Sequence, residues 1–160
     1  MTMDTGLLAE RLIEEAASRN MTISLAESCT GGMIAGSVTD VPGASKVFLG
    51  SAVTYSNEAK IDILGVDPGI INDHGAVSSQ CAEKMAEGAR KIFKSEIALS
   101  VTGIAGPDGG SKEKPVGTVW FGISYNEATY TFKKQFSGER ALIRNSAVET
   151  ALTALLERVQ

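Results

Sequence analysis

The order of apolar runs and helical repeats constrains the fold of this chain more than any other feature. Three extended apolar runs alternate with segments in which apolar residues recur every three or four positions. The runs occupy 22–27, 47–55 and 97–101, and the main helical segments occupy 4–19, 31–38, 79–94 and 138–158. Two strand-like segments, 116–124 and 129–136, predict a late hairpin. This order predicts one domain over residues 1–160, an α/β protein with a three-layer α/β/α sandwich and a mixed, largely parallel sheet.

Composition and charge narrow the class of protein. The 15 basic and 19 acidic residues give a net charge of −4, which disfavours general nucleic-acid binding because that needs a basic face. The sequence contains no apolar run of about 18 residues that would predict a membrane span, and Met1–Met3 open no signal-peptide pattern. The cysteines and the single histidine are too few and too scattered for a disulfide framework or a metal site. We therefore expect a cytoplasmic protein without a structural metal site, and without nucleic-acid or membrane partners.

The segment AESCTGG at 26–32 is the strongest chemical signal in the sequence. It lies where an extended run turns into a helical pattern, so it places nucleophilic side chains and glycines at the predicted start of a helix. These residues are Ser28, Cys29, Thr30, Gly31 and Gly32. The N–H groups at a helix N-terminus suit anions and developing oxyanions, and glycines let other groups approach closely. The segment is therefore a candidate nucleophile and ligand-binding turn.

A serine nucleophile needs a base, and Lys60 is the best candidate. It lies in a short predicted helix after the 47–55 run. An ammonium that is shielded from water near a helix N-terminus has a lowered pKa. The only histidine, His74, lies in a polar segment predicted to be a loop. Ser28 as a plain helix cap and Lys60 as a surface residue explain the same pattern, so both interpretations stay open.

Cys29 and Thr30 each allow two interpretations. A helix N-terminus lowers the pKa of a thiol, which would make Cys29 a rival nucleophile. A buried, inert thiol is the alternative, and the absence of an evident histidine partner favours it. Thr30 either caps the predicted helix or binds a ligand.

The ends of the predicted parallel strands would gather several polar residues into one crevice. If the three apolar runs are adjacent, Ser28, Tyr55, Lys60 and Thr102 would meet there. The next loop, 103–110, contains four glycines in eight residues, with Gly103 and Gly106 among them. Its backbone amides would suit a phosphate or carbonyl oxygen, and a flexible surface turn is the alternative.

Two arginines lie four positions apart at the start of the last predicted helix. Arg140 and Arg144 oppose the helix dipole at this end, which is slightly unfavourable. A substrate phosphate or carboxylate would offset that cost. Pairing with Glu139 or with water on a solvated face explains the placement equally well.

Six segments, in order along most of the chain, resemble one known family. They are AESCTGG at 26–32, VTYSNEAK at 53–60, HGAVS at 74–78, TGIAGPDGG at 102–110, KPVGTVWF at 114–121 and FSGER at 136–140. The family is that of the nicotinamide mononucleotide deamidases, equivalent to the C-terminal domain of competence-damage-inducible protein A. The chain resembles its stand-alone form, without the extra N-terminal domain of larger members.

The resemblance implies an amidohydrolase of the pyridine nucleotide cycle, which converts nicotinamide mononucleotide to nicotinic acid mononucleotide and ammonia. Carried over by motif, Ser28 would be the nucleophile, Lys60 its base and Tyr55 a hydrogen-bonding or proton-relay group. Thr102 and an arginine, Arg140 in preference to Arg144, would position the substrate. The family works without a cofactor, and the resemblance implies a homodimer or larger homo-oligomer.

Two other functions are alternatives to an amidohydrolase. A non-catalytic nucleotide-sensing module would use the glycine loop and the helix start only for binding. A DNA-related activity is suggested by the family's historical name alone, and the acidic balance disfavours it.

Overall fold

The computed structural model describes residues 4–160, and Met1–Met3 lie outside the described part. The strands are β1 (Ile23–Glu27), β2 (Phe48–Val53), β3 (Ile97–Gly103), β4 (Thr118–Tyr125) and β5 (Ala128–Gln135). The helices are α1 (Thr5–Ser18), α2 (Met33–Thr39), α3 (Asn57–Leu64), α4 (Pro68–His74), α5 (Ser79–Phe93) and α6 (Arg140–Val159). A short 3-10 turn, Ala44–Lys46, joins α2 to β2.

The strands form one mixed sheet in the order β2-β1-β3-β4-β5. β1 pairs in parallel with β2 and β3, whereas β3–β4 and β4–β5 are antiparallel. The predicted hairpin turns at Asn126-Glu127, where Asn126 has a φ of 56°. The predicted three-layer α/β/α sandwich is confirmed, and its parallel part consists of β2, β1 and β3.

Helices cover both faces of the sheet and bury its apolar side chains. α1, α2 and α6 pack together on one face, over a core that includes Leu12, Leu25 and Leu152. α5 covers the other face, flanked by α3 and α4. This packing is close: a β-carbon added at Gly122 of β4 would lie 2.5 Å from the carbonyl oxygen of Ala82 in α5.

Local sequence signals explain where most helices begin and end. Asp4 caps α1, and its carboxylate accepts a hydrogen bond from the Gly6 amide at 2.9 Å. The pair Asp67-Pro68, a capping residue followed by proline, predicts a helix start, and Asp67 does cap α4 with Pro68 at the first helical position. Ser78 caps α5, and its hydroxyl accepts from the Cys81 amide at 3.1 Å. The predicted starts of these helices are confirmed.

Three expectations at the level of single residues are wrong. The helix predicted from residue 31 begins at Met33, because Gly31 and Gly32 have φ values of 58° and 101°, outside the helical range. The apolar spacing of the 79–94 segment predicts that Ile92 faces inward, but this side chain is 47% exposed. Phe93 instead packs at that end of α5, against Gly50 of the edge strand. His74 is the last residue of α4 rather than part of a loop.

Candidate active site

A cleft of about 240 Å³ opens where the parallel strands β1, β2 and β3 end. Ser28 follows β1 directly, Tyr55 lies two residues past β2, and Thr102 and Gly103 end β3. The lining residues are Ser28, Cys29, Tyr55, Asn57, Lys60, Ala76, Val77, Thr102, Gly103, Ala105 and Arg140. The structure therefore brings together the four residues that the topology was expected to gather, namely Ser28, Tyr55, Lys60 and Thr102.

Four lining residues were not predicted from the sequence. Asn57 begins α3, Ala76 and Val77 precede α5, and Ala105 lies in the glycine-rich loop. HGAVS, a motif that supports the resemblance, contains both Ala76 and Val77. Asn57 adjoins the predicted start of the Lys60 helix. TGIAGPDGG at 102–110 likewise contains Ala105. A position within or beside these segments is the only signal that the sequence offers for the four residues, because their side chains reveal no chemistry by themselves.

Lys60 and Ser28 form a buried polar pair in the cleft. Lys60 Nζ lies 2.9 Å from Ser28 Oγ, and both residues are buried, with exposed fractions of 1% and 7%. Lys60 Nζ also donates to the carbonyl oxygens of Thr54 at 2.8 Å and Tyr55 at 3.0 Å. As an ammonium, Lys60 donates to Ser28 Oγ and to both carbonyls. In the neutral form of this amine, the two carbonyls would take its two hydrogens, and its lone pair would be left to accept the proton of the Ser28 hydroxyl.

Burial favours the neutral form of this amine. Loss of solvation lowers the pKa of Lys60 from its ordinary value of 10.5, opposed by the nearby thiols of Cys81 and Cys29. Within residues 4–160, the ion pairs are Glu15–Arg19 and Lys84–Glu87, so no carboxylate neutralises Lys60. A lysine without a counter-ion in a sheltered cleft is suited to act as a base.

The chain places Lys60 in the cleft by starting a helix immediately after β2. Ser56 caps α3, and its hydroxyl accepts a hydrogen bond from the Ala59 amide at 3.0 Å. Lys60 lies in the first turn, so its side chain points back to the carbonyls that follow β2. Gly65 ends the helix with a φ of 72°, a conformation that glycine adopts readily.

The start of α2 differs from the expected open anion site. The buried carboxylate of Glu27 accepts hydrogen bonds from the amides of Ile34 and Ala35, at 3.0 and 3.1 Å. It also accepts the Thr30 hydroxyl at 2.8 Å. Thr30 is completely buried and does not line the cleft, so the expectation that it contacts a ligand is not supported. The N–H groups of α2 that suit an anion are already occupied by the protein's own carboxylate.

The turn between β1 and α2 still contains amides that can serve an oxyanion. The Ser28 amide donates to Val101 and the Gly31 amide to Ser28, at 3.0 and 3.1 Å. Across the described residues, the amides of Cys29, Thr30 and Gly32 have no backbone acceptor. Gly31 and Gly32 do not themselves line the cleft. Their positive φ values shape the turn.

The two arginines of α6 have different positions. Arg140 lines the cleft, donates to the Gly106 carbonyl at 2.7 Å and lies 3.3 Å from the Tyr55 hydroxyl. Gly106 itself does not line the cleft. Arg144 donates to the carbonyls of Cys29 and Thr30, at 2.9 and 3.3 Å. Arg144 therefore supports the turn from outside the cleft, whereas Arg140 faces the cleft.

Tyr55, Thr102 and Cys29 each have a different environment. The Tyr55 side chain is 62% exposed, and its hydroxyl contacts Arg140 rather than Ser28 or Lys60. The Thr102 hydroxyl donates to the Ala76 carbonyl at 3.0 Å, which joins two walls of the cleft. Burial raises the pKa of the Cys29 thiol to about 11, so the thiolate that a nucleophile requires is disfavoured at neutral pH.

Two features are absent from residues 4–160. In that range, acidic, histidine and cysteine side chains nowhere gather in a group of three that could hold a metal ion. None of the helices there combines the length and the apolar character that crossing a membrane requires.

Comparison with known proteins agrees with this architecture. The model of the CinA C-terminal domain matches residues 6–159. A putative competence-damage inducible protein of Caldicellulosiruptor bescii is 47% identical over 157 residues, which are 98% of this chain and 38% of the relative. One from Acetivibrio thermocellus is 53% identical over 132 residues, 82% of this chain and 32% of the relative. The chain thus spans about a third of the length of these curated relatives.

Solved structures match over nearly the whole chain. The competence/damage inducible protein CihA from Agrobacterium tumefaciens superimposes with a TM-score of 0.95 at 41% identity, covering 99% of this chain and 97% of that one. A CinA superfamily protein from Klebsiella pneumoniae gives 0.95 at 32% identity, with 98% of each chain covered. On the evidence of the family model, these relatives and the shared fold, the chain belongs to the CinA C-terminal domain family.

Proposed function

We propose that this protein is an amidohydrolase that converts nicotinamide mononucleotide to nicotinic acid mononucleotide and ammonia in the cytoplasm. The observation that carries the proposal is the pair formed by Ser28 and Lys60. A buried amine lies 2.9 Å from a serine hydroxyl in a cleft, and no carboxylate of residues 4–160 neutralises it. Serine–lysine pairs are known variants of the catalytic triad.

In the first half of the reaction, the neutral Lys60 amine takes the proton of the Ser28 hydroxyl as Oγ attacks the carboxamide carbon. The carbonyl oxygen then bears a negative charge in the tetrahedral intermediate. The amide of Cys29, a residue that lines the cleft and whose N–H has no backbone acceptor within residues 4–160, is the donor available to it in the turn after β1. One such donor is typically worth about 3 kcal/mol. Protonated Lys60 gives its proton to the departing nitrogen, which leaves as ammonia.

In the second half, water attacks the acyl group on Ser28 Oγ. Lys60 takes a proton from the water and then returns it to Oγ as the ester bond breaks. The products are nicotinic acid mononucleotide and the free enzyme. The positively charged pyridinium ring withdraws electrons from the carboxamide, so the substrate is activated for this chemistry before it binds.

The charge of the cleft supports a substrate that contains a phosphate. Its lining contains the guanidinium of Arg140 and no carboxylate. Arg140 is held in place by the Gly106 carbonyl and the Tyr55 hydroxyl. A guanidinium held in this way loses less side-chain entropy when it binds a phosphate. We assign the phosphate to Arg140.

The experiment that tests the proposal is ammonia release from nicotinamide mononucleotide by the purified protein. Ser28→Ala should reduce turnover by at least about 1,000-fold, the order seen when a covalent nucleophile is removed. The exposed Ser45→Ala is the matched control and should keep full turnover. Substantial turnover by Ser28→Ala would remove Ser28 from the mechanism. Tight binding of the nucleotide without ammonia release by the unmodified protein would favour the sensing module instead.

A further inference from the structure

We propose that Glu27 is a positioning residue of this site. Its buried carboxylate fixes the turn that contains Ser28 relative to β2, the strand whose end holds the Lys60 amine. The inference rests on the proposed serine–lysine chemistry, which it extends to a residue that cannot itself touch substrate. Glu27 is completely buried and does not line the cleft. Its role must therefore act through its neighbours.

The hydrogen bonds of the carboxylate join three elements of the fold. One oxygen accepts from the Thr30 hydroxyl and the Ile34 amide, at 2.8 and 3.0 Å. The other accepts from the Ala35 amide and the Ser51 hydroxyl, at 3.1 and 2.9 Å. Through these bonds, a residue of β1 is tied to the turn that follows it, to α2 and to β2. A buried charge is costly, and this set of donors offsets the cost.

The position of Glu27 in the chain connects it to both reacting groups. On one side, the next residue is Ser28. On the other side, the Glu27 carbonyl accepts from the Thr54 amide at 2.9 Å, and the Thr54 carbonyl accepts from Lys60 Nζ at 2.8 Å. Glu27 is thus one peptide bond from the hydroxyl-bearing residue and one hydrogen bond from the strand end that holds the amine.

Proton transfer between Ser28 and Lys60 depends on this register. Reactive groups must be held within roughly 0.5 Å of a productive geometry, and misplacement by about 1 Å can cost about 100-fold in rate. The Ser51 hydroxyl links the carboxylate to β2. Because β2 leads directly to Thr54 and Tyr55, a shift of β2 against β1 would move the amine away from the hydroxyl.

The test is Glu27→Gln, which keeps the size of the side chain but turns an accepting oxygen into an N–H₂ that faces donors. We expect kcat to fall by roughly tenfold or more, with KM within about threefold, because the substrate contacts remain. The rate at which a small sulfonyl fluoride labels Ser28 should fall by a similar factor. Labelling reports the Ser28–Lys60 geometry without nucleotide recognition, and is measured at a temperature where circular dichroism shows full folding.

Val38→Ala is the matched control, because it loosens the buried packing of α2 and leaves the carboxylate untouched. The proposal would be overturned if folded Glu27→Gln had the labelling rate and kcat of the unmodified protein. It would also be overturned if Val38→Ala lowered both quantities as much as Glu27→Gln does. If Glu27→Gln does not fold, Ser51→Ala is the second variant, because it removes only the link from the carboxylate to β2. Ser51→Ala should slow the labelling of Ser28, and an unchanged labelling rate would overturn the proposal. If Glu27→Gln is labelled more slowly but even the unmodified protein releases no ammonia, the positioning role of Glu27 is supported and the proposed substrate is refuted.

Discussion

The carbonyl oxygen of Thr54 accepts a hydrogen bond from Lys60 Nζ at 2.8 Å, whereas the Thr54 hydroxyl has no partner within residues 4–160. The residue is completely buried. The backbone carbonyl of Thr54 binds the Lys60 amine, whereas its side-chain hydroxyl is a buried polar group without a hydrogen bond. The two parts of the residue can therefore be separated by substitution.

Thr54→Val should leave the protein as stable as before or stabilise it by up to about 1 kcal/mol. The substitution keeps the shape of the side chain and removes a buried hydroxyl that makes no hydrogen bond. The free energy of unfolding in denaturant is the measurement. A loss of more than about 1 kcal/mol would mean that the hydroxyl is satisfied in solution, for example by a bound water.

The lowered pKa of Lys60 predicts how stability depends on pH. The unfolded chain, in which the lysine titrates near its ordinary 10.5, binds more protons than the folded protein between the folded pKa and that value. Relative to Lys60→Met, stability should therefore rise with pH through this interval. The cost of a buried ammonium is fully present below the folded pKa and disappears above the unfolded one.

The same ionisation should govern the rate. If neutral Lys60 is the base, kcat/KM rises with pH with a midpoint below 10.5. Lys60→Met should lose the activity, while Lys46→Met, at an exposed position, keeps it. Unfolding midpoints and rates measured over one pH series check both effects. A stability difference that does not change with pH would show that the pKa of Lys60 is not lowered.

Arg140 and Arg144 should have separable kinetic effects. Arg140→Met is expected to raise KM by about tenfold or more, because a charge-assisted bond to phosphate is lost. That penalty should vanish with nicotinamide riboside, which has no phosphate. Arg144→Met removes the donors to the Cys29 and Thr30 carbonyls, so it should lower kcat and stability instead. An equal penalty of Arg140→Met on both substrates would exclude the phosphate assignment.

Two helical glycines should respond to alanine in opposite directions. A β-carbon at Gly88 of α5 would lie 2.1 Å from the Leu64 carbonyl oxygen, at the end of the helix that carries Lys60. Gly88→Ala should therefore destabilise the protein by about 1–3 kcal/mol or more. Gly36 of α2 has no atom within 4 Å of that position, so Gly36→Ala should stabilise by about 0.5–1 kcal/mol. Denaturant unfolding of both variants checks the contrast.

Much of this fold is predictable from local patterns. The capping signals at Ser56, Asp67 and Ser78 each start a helix where the sequence places it. The order of strands and helices predicts the layers, and the layers bring Ser28 and Lys60 to one crevice. These features follow from residues that are close in the chain or from general rules of α/β sheets.

The rest depends on long-range contacts that no local pattern shows. Glu27 resembles an ordinary acidic residue until its bond to Ser51 is seen, 24 positions away. For this reason the first amides of α2 are not open to an anion: the carboxylate occupies those of Ile34 and Ala35. The turn before α2 stays the proposed oxyanion site. The positions of Arg140 and Arg144 likewise depend on which loop carbonyls approach α6.

The antiparallel half of the sheet has a practical consequence. β4 begins beside the end of β3 at Gly103 and finishes beside Ile97, so the Asn126-Glu127 turn lies at the far end of the sheet from the cleft. Fluorophores, affinity tags or surface anchors inserted at that turn would sit on a solvent-exposed tip. Immobilised or labelled protein prepared in this way would present its cleft freely to nucleotides.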